Sequence, residues 1–290
     1  MVDTSVRSAP EFSADETTFG QTQCGPFSMR WVESGPIGAP KVLLLHGLYA
    51  GAHSYEWRDF APVLSQRFRV RVPDLLGAGQ SDRPDLEFTR AVVQSAVDAL
   101  ISDAPGAAVV ASSLTGSYAL RSLSRATSRG GDIGSLILIT PPGMGDHREG
   151  RPDRVNTVLY ELARRTPLGQ AIVGGLTSRP SVSWFQRNKT YADEASLARP
   201  ELDETRRAGR LHHAKHLQLA FVFGRLALDI AERDVANVKP TVVWARGQHF
   251  TANDEARGWE RAGARVFDVE SGLPQVEEPV RLAELIEPFL

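Results

Sequence analysis

Continuous apolar runs alternate with stretches of helical spacing along most of the chain. Lys41-Val42-Leu43-Leu44-Leu45, residues 68–72, 107–111 and 135–139, and later 241–245 and 265–269 each read as short strands. Runs that are apolar at nearly every position fit strands covered on both faces of a parallel sheet; strict alternation would mark a half-exposed strand. Residues 57–67, 89–102, a segment opening at Gly116, and 279–289 carry helical periodicity. The order predicts an α/β fold with right-handed crossovers and a mainly parallel central sheet flanked by helices. Ahead of it, residues 19–22 and 27–33 predict an antiparallel hairpin around Cys24-Gly25-Pro26. The rhythm breaks between Met144 and Val238, where 155–165, 181–189, 201–210 and 216–232 predict helices with no strong strand among them. The chain thus divides into a loose tail over 1–16, a core over 17–143 and 239–290, and a helical insertion over 144–238, most naturally a lid.

Composition changes this picture little. With 290 residues, 42% of them hydrophobic and 23% charged, the chain suits an ordinary globular domain. A formal net charge of −2 gives no electrostatic footprint for nucleic acid. No stretch is apolar for long enough to span a bilayer. The polar opening lacks the apolar segment of a signal peptide. One cysteine, Cys24, leaves no internal disulfide framework and points to the cytoplasm.

The chemistry concentrates in Ala111-Ser112-Ser113-Leu114-Thr115-Gly116, where a buried strand turns into a helix. A serine on such a turn has the geometry of a nucleophile elbow, which crowds the residues two before and two after it. Ser112 as apex would place Val110 and Leu114 there; Ser113 places Ala111 and Thr115, the better fit, although Thr115 is β-branched where glycine is usual. His46-Gly47-Leu48-Tyr49 closes the first central strand, and Asp74 opens a glycine-rich loop, tying down its amides. His212, His213 and His216 fall at near-helical spacing in the insertion. With no cysteine beside them and no patterned carboxylates, they read as a polar helix face, with no metal expected.

The chain resembles the α/β-hydrolase superfamily over about residues 27–290. The resemblance rests on Leu43-Leu44-Leu45-His46-Gly47, Pro73-Asp74-Leu75-Leu76-Gly77-Ala78-Gly79-Gln80-Ser81-Asp82-Arg83-Pro84, the Ser113 elbow, Pro240-Thr241-Val242-Val243-Trp244 and Leu273-Pro274-Gln275-Val276-Glu277-Glu278-Pro279. It implies the α/β-hydrolase fold with an inserted helical lid, and Ser113 as nucleophile. It further implies an oxyanion hole made by the Leu48 and Leu114 amides. The partners of the serine do not carry over. The family usually reads Gly-His-Leu-Pro where this chain has Ser271-Gly272-Leu273-Pro274, which puts Gly272 at the base. The acid position falls on Gln248, and no histidine follows His249.

Without its histidine a serine hydrolase loses about 10⁶ in kcat, roughly 8 kcal/mol of transition-state stabilisation. The expectation is therefore a non-hydrolytic enzyme, of cyclase, isomerase or lyase type. It would act on a fairly apolar small molecule in a biosynthetic pathway and need no cofactor. A catalytically inactive accessory subunit or ligand-binding module is the alternative, which leaves a protein partner open. A third reading is an atypical serine esterase in which His249, beside Gln248, serves Ser113. Tyr49, Trp184, Phe185 and Phe221 are expected to line the substrate pocket.

Overall fold

The computed structural model describes residues 17–131, 133–144, 154–192, 199–246 and 256–290. Eight strands form one sheet: β1 (Thr18–Cys24), β2 (Phe27–Ser34), β3 (Lys41–Leu45), β4 (Arg69–Pro73), β5 (Ala108–Ser112), β6 (Leu136–Ile139), β7 (Thr241–Ala245) and β8 (Arg265–Val269). Their spatial order is β1-β2-β4-β3-β5-β6-β7-β8. The hairpin β1–β2 is antiparallel and β2 runs antiparallel to β4; every other neighbouring pair is parallel.

Alternate residues of the apolar runs feed two different cores. Leu43, Leu45, Val109, Ala111, Leu136, Leu138 and Val242 enter one; Val42, Leu44, Val110, Ile137, Ile139 and Val243 enter the other. Side chains alternate across a strand, so a run apolar at every position is what two covered faces require. Each fully buried leucine, isoleucine or valine adds about 1.5–3 kcal/mol. Helices α1 (Ala61–Leu64), α2 (Arg90–Ser102) and α3 (Thr115–Ser128) lie between the strands of the first half. α2 and α3 cover the first face with Val93, Val97, Tyr118 and Leu120. α1 covers the second with Ala61 and Leu64.

Between β6 and β7 come α4 (Arg154–Arg165), α5 (Pro167–Leu176), α6 (Arg179–Phe185), α7 (Arg199–Arg210), α8 (Lys215–Val222) and α9 (Glu232–Val238). After β7 follow α10 (Ala256–Arg261), α11 (Pro274–Glu277) and α12 (Pro279–Ile286). α12 returns to the second face with Leu282 and Ile286. No described helix is long and apolar enough to cross a membrane.

Several helices differ from the sequence expectation, each for a local reason. Residues 57–67 form a 3₁₀ turn (Ser54–Trp57) and then the four-residue α1. Pro62 cannot donate a backbone hydrogen bond, so it sits in the first turn of a new helix rather than inside a long one. The helix expected over 216–232 ends at Val222, where Gly224 takes a φ of +68°. That left-handed conformation stops a helix. α9 packs on α3, with Ser124 Oγ donating to Asp234 Oδ1 at 2.8 Å and Asn237 Nδ2 donating to Ser124 Oγ at 3.2 Å. α5 was not foreseen, because Gly169, Gly174 and Gly175 hide its pattern behind low intrinsic propensity. Thr166 and Pro167 nevertheless supply its cap and first turn. Past α6 the chain runs straight into a π-helix, Gln186–Thr190.

Candidate functional site

Ser113 stands where β5 ends, and its φ of +51° lies in the left-handed region. Such a conformation costs a non-glycine residue about 1–2 kcal/mol. Backbone bonds on both sides hold it. The Ser113 N–H donates to Ile139 O at 2.9 Å, extending the ladder with β6, and its carbonyl accepts from Gly116 N at 3.0 Å, opening α3. Ser112 is still in strand β5 and 2% exposed, so Ser113 is the apex of the turn. Thr115 explains itself: its hydroxyl donates to His46 O at 2.7 Å and the residue is fully buried. The β-branched side chain, unexpected at this position, ties the elbow to the loop after β3.

That loop closes directly on the serine. A Cβ placed on Gly47 would lie 3.3 Å from Ser113 Cβ and 3.2 Å from the Tyr49 ring, a tighter fit than side chains normally make. His46 is buried and spends both ring nitrogens on the backbone. Its Nε2 accepts from Leu75 N at 3.0 Å, which leaves Nδ1–H to donate to Gly47 O at 2.8 Å. Asp74 binds the amides of Ser54 (2.8 Å) and Gln80 (2.7 Å) and so fixes two loops, as its place in the sequence suggests. Among the described residues neither the Leu48 nor the Leu114 amide donates a hydrogen bond.

Beneath this loop lies a residue the sequence reading passed over. Glu56 is 6% exposed, and its two oxygens accept three hydrogen bonds. Oε2 takes Gly47 N at 2.9 Å and the Tyr49 hydroxyl at 3.2 Å; Oε1 takes Gln275 Nε2 at 2.9 Å. Glu56 thus braces the Gly47–Tyr49 loop against α11, a contact across more than two hundred residues of chain. The only signal in the sequence was a carboxylate set between two aromatic residues, Tyr55 and Trp57. Close by, His53 is wholly enclosed. Burial above all holds its pKa down to about 4, with His46, Arg58 and Arg207 adding to the shift and Asp74 opposing it.

Around Gly272, the position to which the resemblance assigns the base, backbone fills the space. The φ of Gly272 is not in the left-handed region, so no conformational rule demands glycine. A Cβ there would overlap the Thr190 carbonyl oxygen outright and lie 2.7 Å from the carbonyl carbon and 3.2 Å from Tyr191 Cα. Glu277 locks the arrangement. Its Oε2 accepts from Gly272 N (2.6 Å) and Leu273 N (2.7 Å), while Oε1 accepts from Ala192 N at 2.9 Å. One carboxylate therefore pins the end of the π-helix region to the loop before α11.

The structure brings Ser113 and Tyr49 together against Gly47, with Leu114 and Leu48 the next residues in the chain after Ser113 and Gly47. Phe221 is half-buried on α8 against the first core. Trp184 and Phe185, expected in a sheltered pocket, are 60% and 45% exposed on α6. Gln248 and His249 lie outside the described residues. His212 and His213 do not share a helix face with His216. They precede α8 in a turn with stacked rings, centroids 3.8 Å apart, and His213 has a φ of +62°.

The sequence model of the Alpha/beta hydrolase family matches residues 42–285. Among curated proteins, the 2-hydroxy-6-oxo-6-(2'-aminophenyl)hexa-2,4-dienoic acid hydrolase of Metapseudomonas resinovorans is 42% identical over 67 residues, 23% of this chain and 22% of that protein. The Magnesium-chelatase 30 kDa subunit of Rhodobacter capsulatus is 49% identical over 57 residues, 20% of this chain and 19% of that protein. The chain thus matches less than a quarter of the length of either relative. Among solved structures, Cfl2 from Burkholderia cenocepacia superposes with a TM-score of 0.70 at 21% identity, covering 98% of both chains, a likeness of fold.

Proposed function

The chain belongs to the alpha/beta hydrolase family, and from that premise we propose that it acts on a carbonyl compound without hydrolysing it. The substrate is a fairly apolar small molecule held under the 144–238 insertion, which serves as the lid. The reaction is of cyclase, isomerase or lyase type, in a biosynthetic pathway of the cytoplasm. In this reading the amides of Leu48 and Leu114 receive the carbonyl oxygen as it gains negative charge, and the Ser113 hydroxyl adds a third donor. One such donor contributes about 2.7–4 kcal/mol when the charge develops in a dry site.

The observation that carries the reading is the packing at Gly272. A serine hydroxyl is a poor nucleophile without an adjacent base. Where the family places that base, the Thr190 carbonyl occupies the room a side chain would need. The test is a generic ester assay and fluorophosphonate labelling of the purified protein, with Ser113→Ala as control. Background turnover, the same in both proteins, is expected. Fast Ser113-dependent hydrolysis would overturn the proposal. If His249→Ala abolished that hydrolysis, the activity would belong to an esterase with a relocated base, the reading favoured by the Metapseudomonas hydrolase.

An accessory role is the second reading. The relative named as a magnesium-chelatase subunit favours it. So do the exposed apolar side chains of α4, Val155, Val158, Leu159 and Leu162, which form one stripe at helical spacing. Activity that appears only with a co-purifying partner, and that survives Ser113→Ala, would decide for it.

A further inference from the structure

Three groups from separate parts of the chain meet beside the start of α8. One ring nitrogen each from His213 and His216 and a carboxylate oxygen of Asp85 all lie within 4.8 Å of one another. Asp85 belongs to the loop after β4, far upstream of the two histidines, so spacing along the chain could not group it with them. We propose that these three residues form a binding site for a divalent transition-metal ion of the zinc class, with its remaining position open to water.

The geometry supports this in four ways. Ligands on a tetrahedral ion at about 2.0–2.1 Å stand roughly 3.3 Å apart. His216 Nε2 and Asp85 Oδ1 are already 3.1 Å apart, so only His213 has to close in. His213 Nδ1 lies 3.1 Å from Arg83 O and donates to it, which leaves Nε2 unprotonated and oriented by a backbone carbonyl. Metal-binding histidines are commonly arranged this way. His213 also keeps a φ of +62°, a strained conformation for a non-glycine residue that aims its ring rather than favouring the chain. Finally, His216 is 3% exposed, and its Nδ1 has no partner among the described residues.

The cationic side chains around the trio are engaged in hydrogen bonds of their own. The Arg83 guanidinium is held by the carbonyls of Gly79, Ser81 and His212. The Lys215 ammonium donates to Thr166 O at 3.2 Å. Arg164 pairs with Glu161 at 3.2 Å. Coordination through His216 Nε2 places the ring proton on Nδ1, which has no partner among the described residues, so Nε2 and Asp85 Oδ1 both face the cation with lone pairs. The ion would join the core loop carrying Asp85 to the inserted helices, acting as a latch between them.

The test is calorimetric titration of untagged, chelator-treated full-length protein with Zn²⁺, and with Co²⁺ followed by its visible absorption. The expected result is one ion per chain and a tetrahedral cobalt spectrum. Asp85→Asn and His213→Gln, both toward the surface, should each weaken binding at least about tenfold. His216→Gln should do the same if it folds, while His212→Gln should leave binding unchanged. Saturating Zn²⁺ should raise the unfolding midpoint by about 5 °C in the wild type and in His212→Gln, and not in the Asp85 and His213 variants. Absence of stoichiometric binding, or binding unaffected by Asp85→Asn and His213→Gln, overturns the proposal.

Discussion

The packing at Gly272 makes a quantitative prediction for Gly272→Ala. The new methyl would stand 2.7 Å from the Thr190 carbonyl carbon, whereas non-bonded carbons settle at about 3.5–4.0 Å. The opposing atoms are backbone, and the methyl also overlaps the Thr190 carbonyl oxygen, so the chain near Thr190 has to retreat by more than about 1 Å rather than turn a side chain aside. Overpacking of this kind costs about 1–3 kcal/mol. The retreat also stretches the bond from Ala192 N to Glu277 Oε1, now 2.9 Å, and hydrogen bonds to charged groups contribute about 1.5–3 kcal/mol. Because the shift strains that bond without abolishing it, a total loss of about 3 kcal/mol is expected. The unfolding midpoint should then fall by about 6–12 °C. Thermal unfolding with and without the substitution measures the loss, and faster amide exchange at Ala192 locates it. Gly272→His on the same backbone should be at least as destabilised and should gain no ester hydrolysis. A Gly272→Ala protein within about 0.5 kcal/mol of the wild type would refute the argument. So would a Gly272→His variant that turned over esters in a Ser113-dependent way.

Further predictions concern the elbow, the loop below it and pH. Ser113→Gly should unfold at a higher temperature than Ser113→Ala, by the equivalent of about 1 kcal/mol, because only glycine relieves the +51° conformation. Thr115→Val removes the donor to His46 O from a fully buried site, and a loss of about 1–3 kcal/mol in denaturant unfolding is expected. Glu56→Gln turns one acceptor into a donor facing three donors. It should cost a similar amount and shift the chemical environment of Tyr49, which NMR can follow. His53, held at about 4 in the fold against an ordinary 6.5, takes up its proton more readily when unfolded. Its contribution is therefore complete above about pH 6.5 and shrinks as pH falls toward 4, reaching a loss of about 3 kcal/mol. His53→Asn, which can still cap the Ser54–Trp57 turn, should flatten the melting temperature over that window.

The fold was legible where the information is local. The unbroken apolar runs at Val42–Leu45 positions and in β5 announced two covered faces, and small residues around Ser113 distinguished it from Ser112. What escaped was created by contacts across the sheet. Glu56 matters because Gln275 and the Gly47 amide come to it from other parts of the chain. Asp85 joins His213 and His216 only once the insertion is folded down. Thr115 looked like a misfit until its hydroxyl could be seen reaching His46 O. The sequence also places a glycine at 272, but not the Thr190 carbonyl that fills the space a side chain there would take.

What closes it is one turn of unusual pitch. Within Gln186–Thr190 the Tyr191 amide reaches back five residues to Gln186 O, at 2.9 Å, where an α-helix would reach back four. A single surplus residue is thus looped into that turn, and its slack carries the carbonyl of Thr190 onto Gly272. The room beside Gly272 is thus set by the winding of a segment some eighty residues earlier in the chain as well as by the amino acid at position 272.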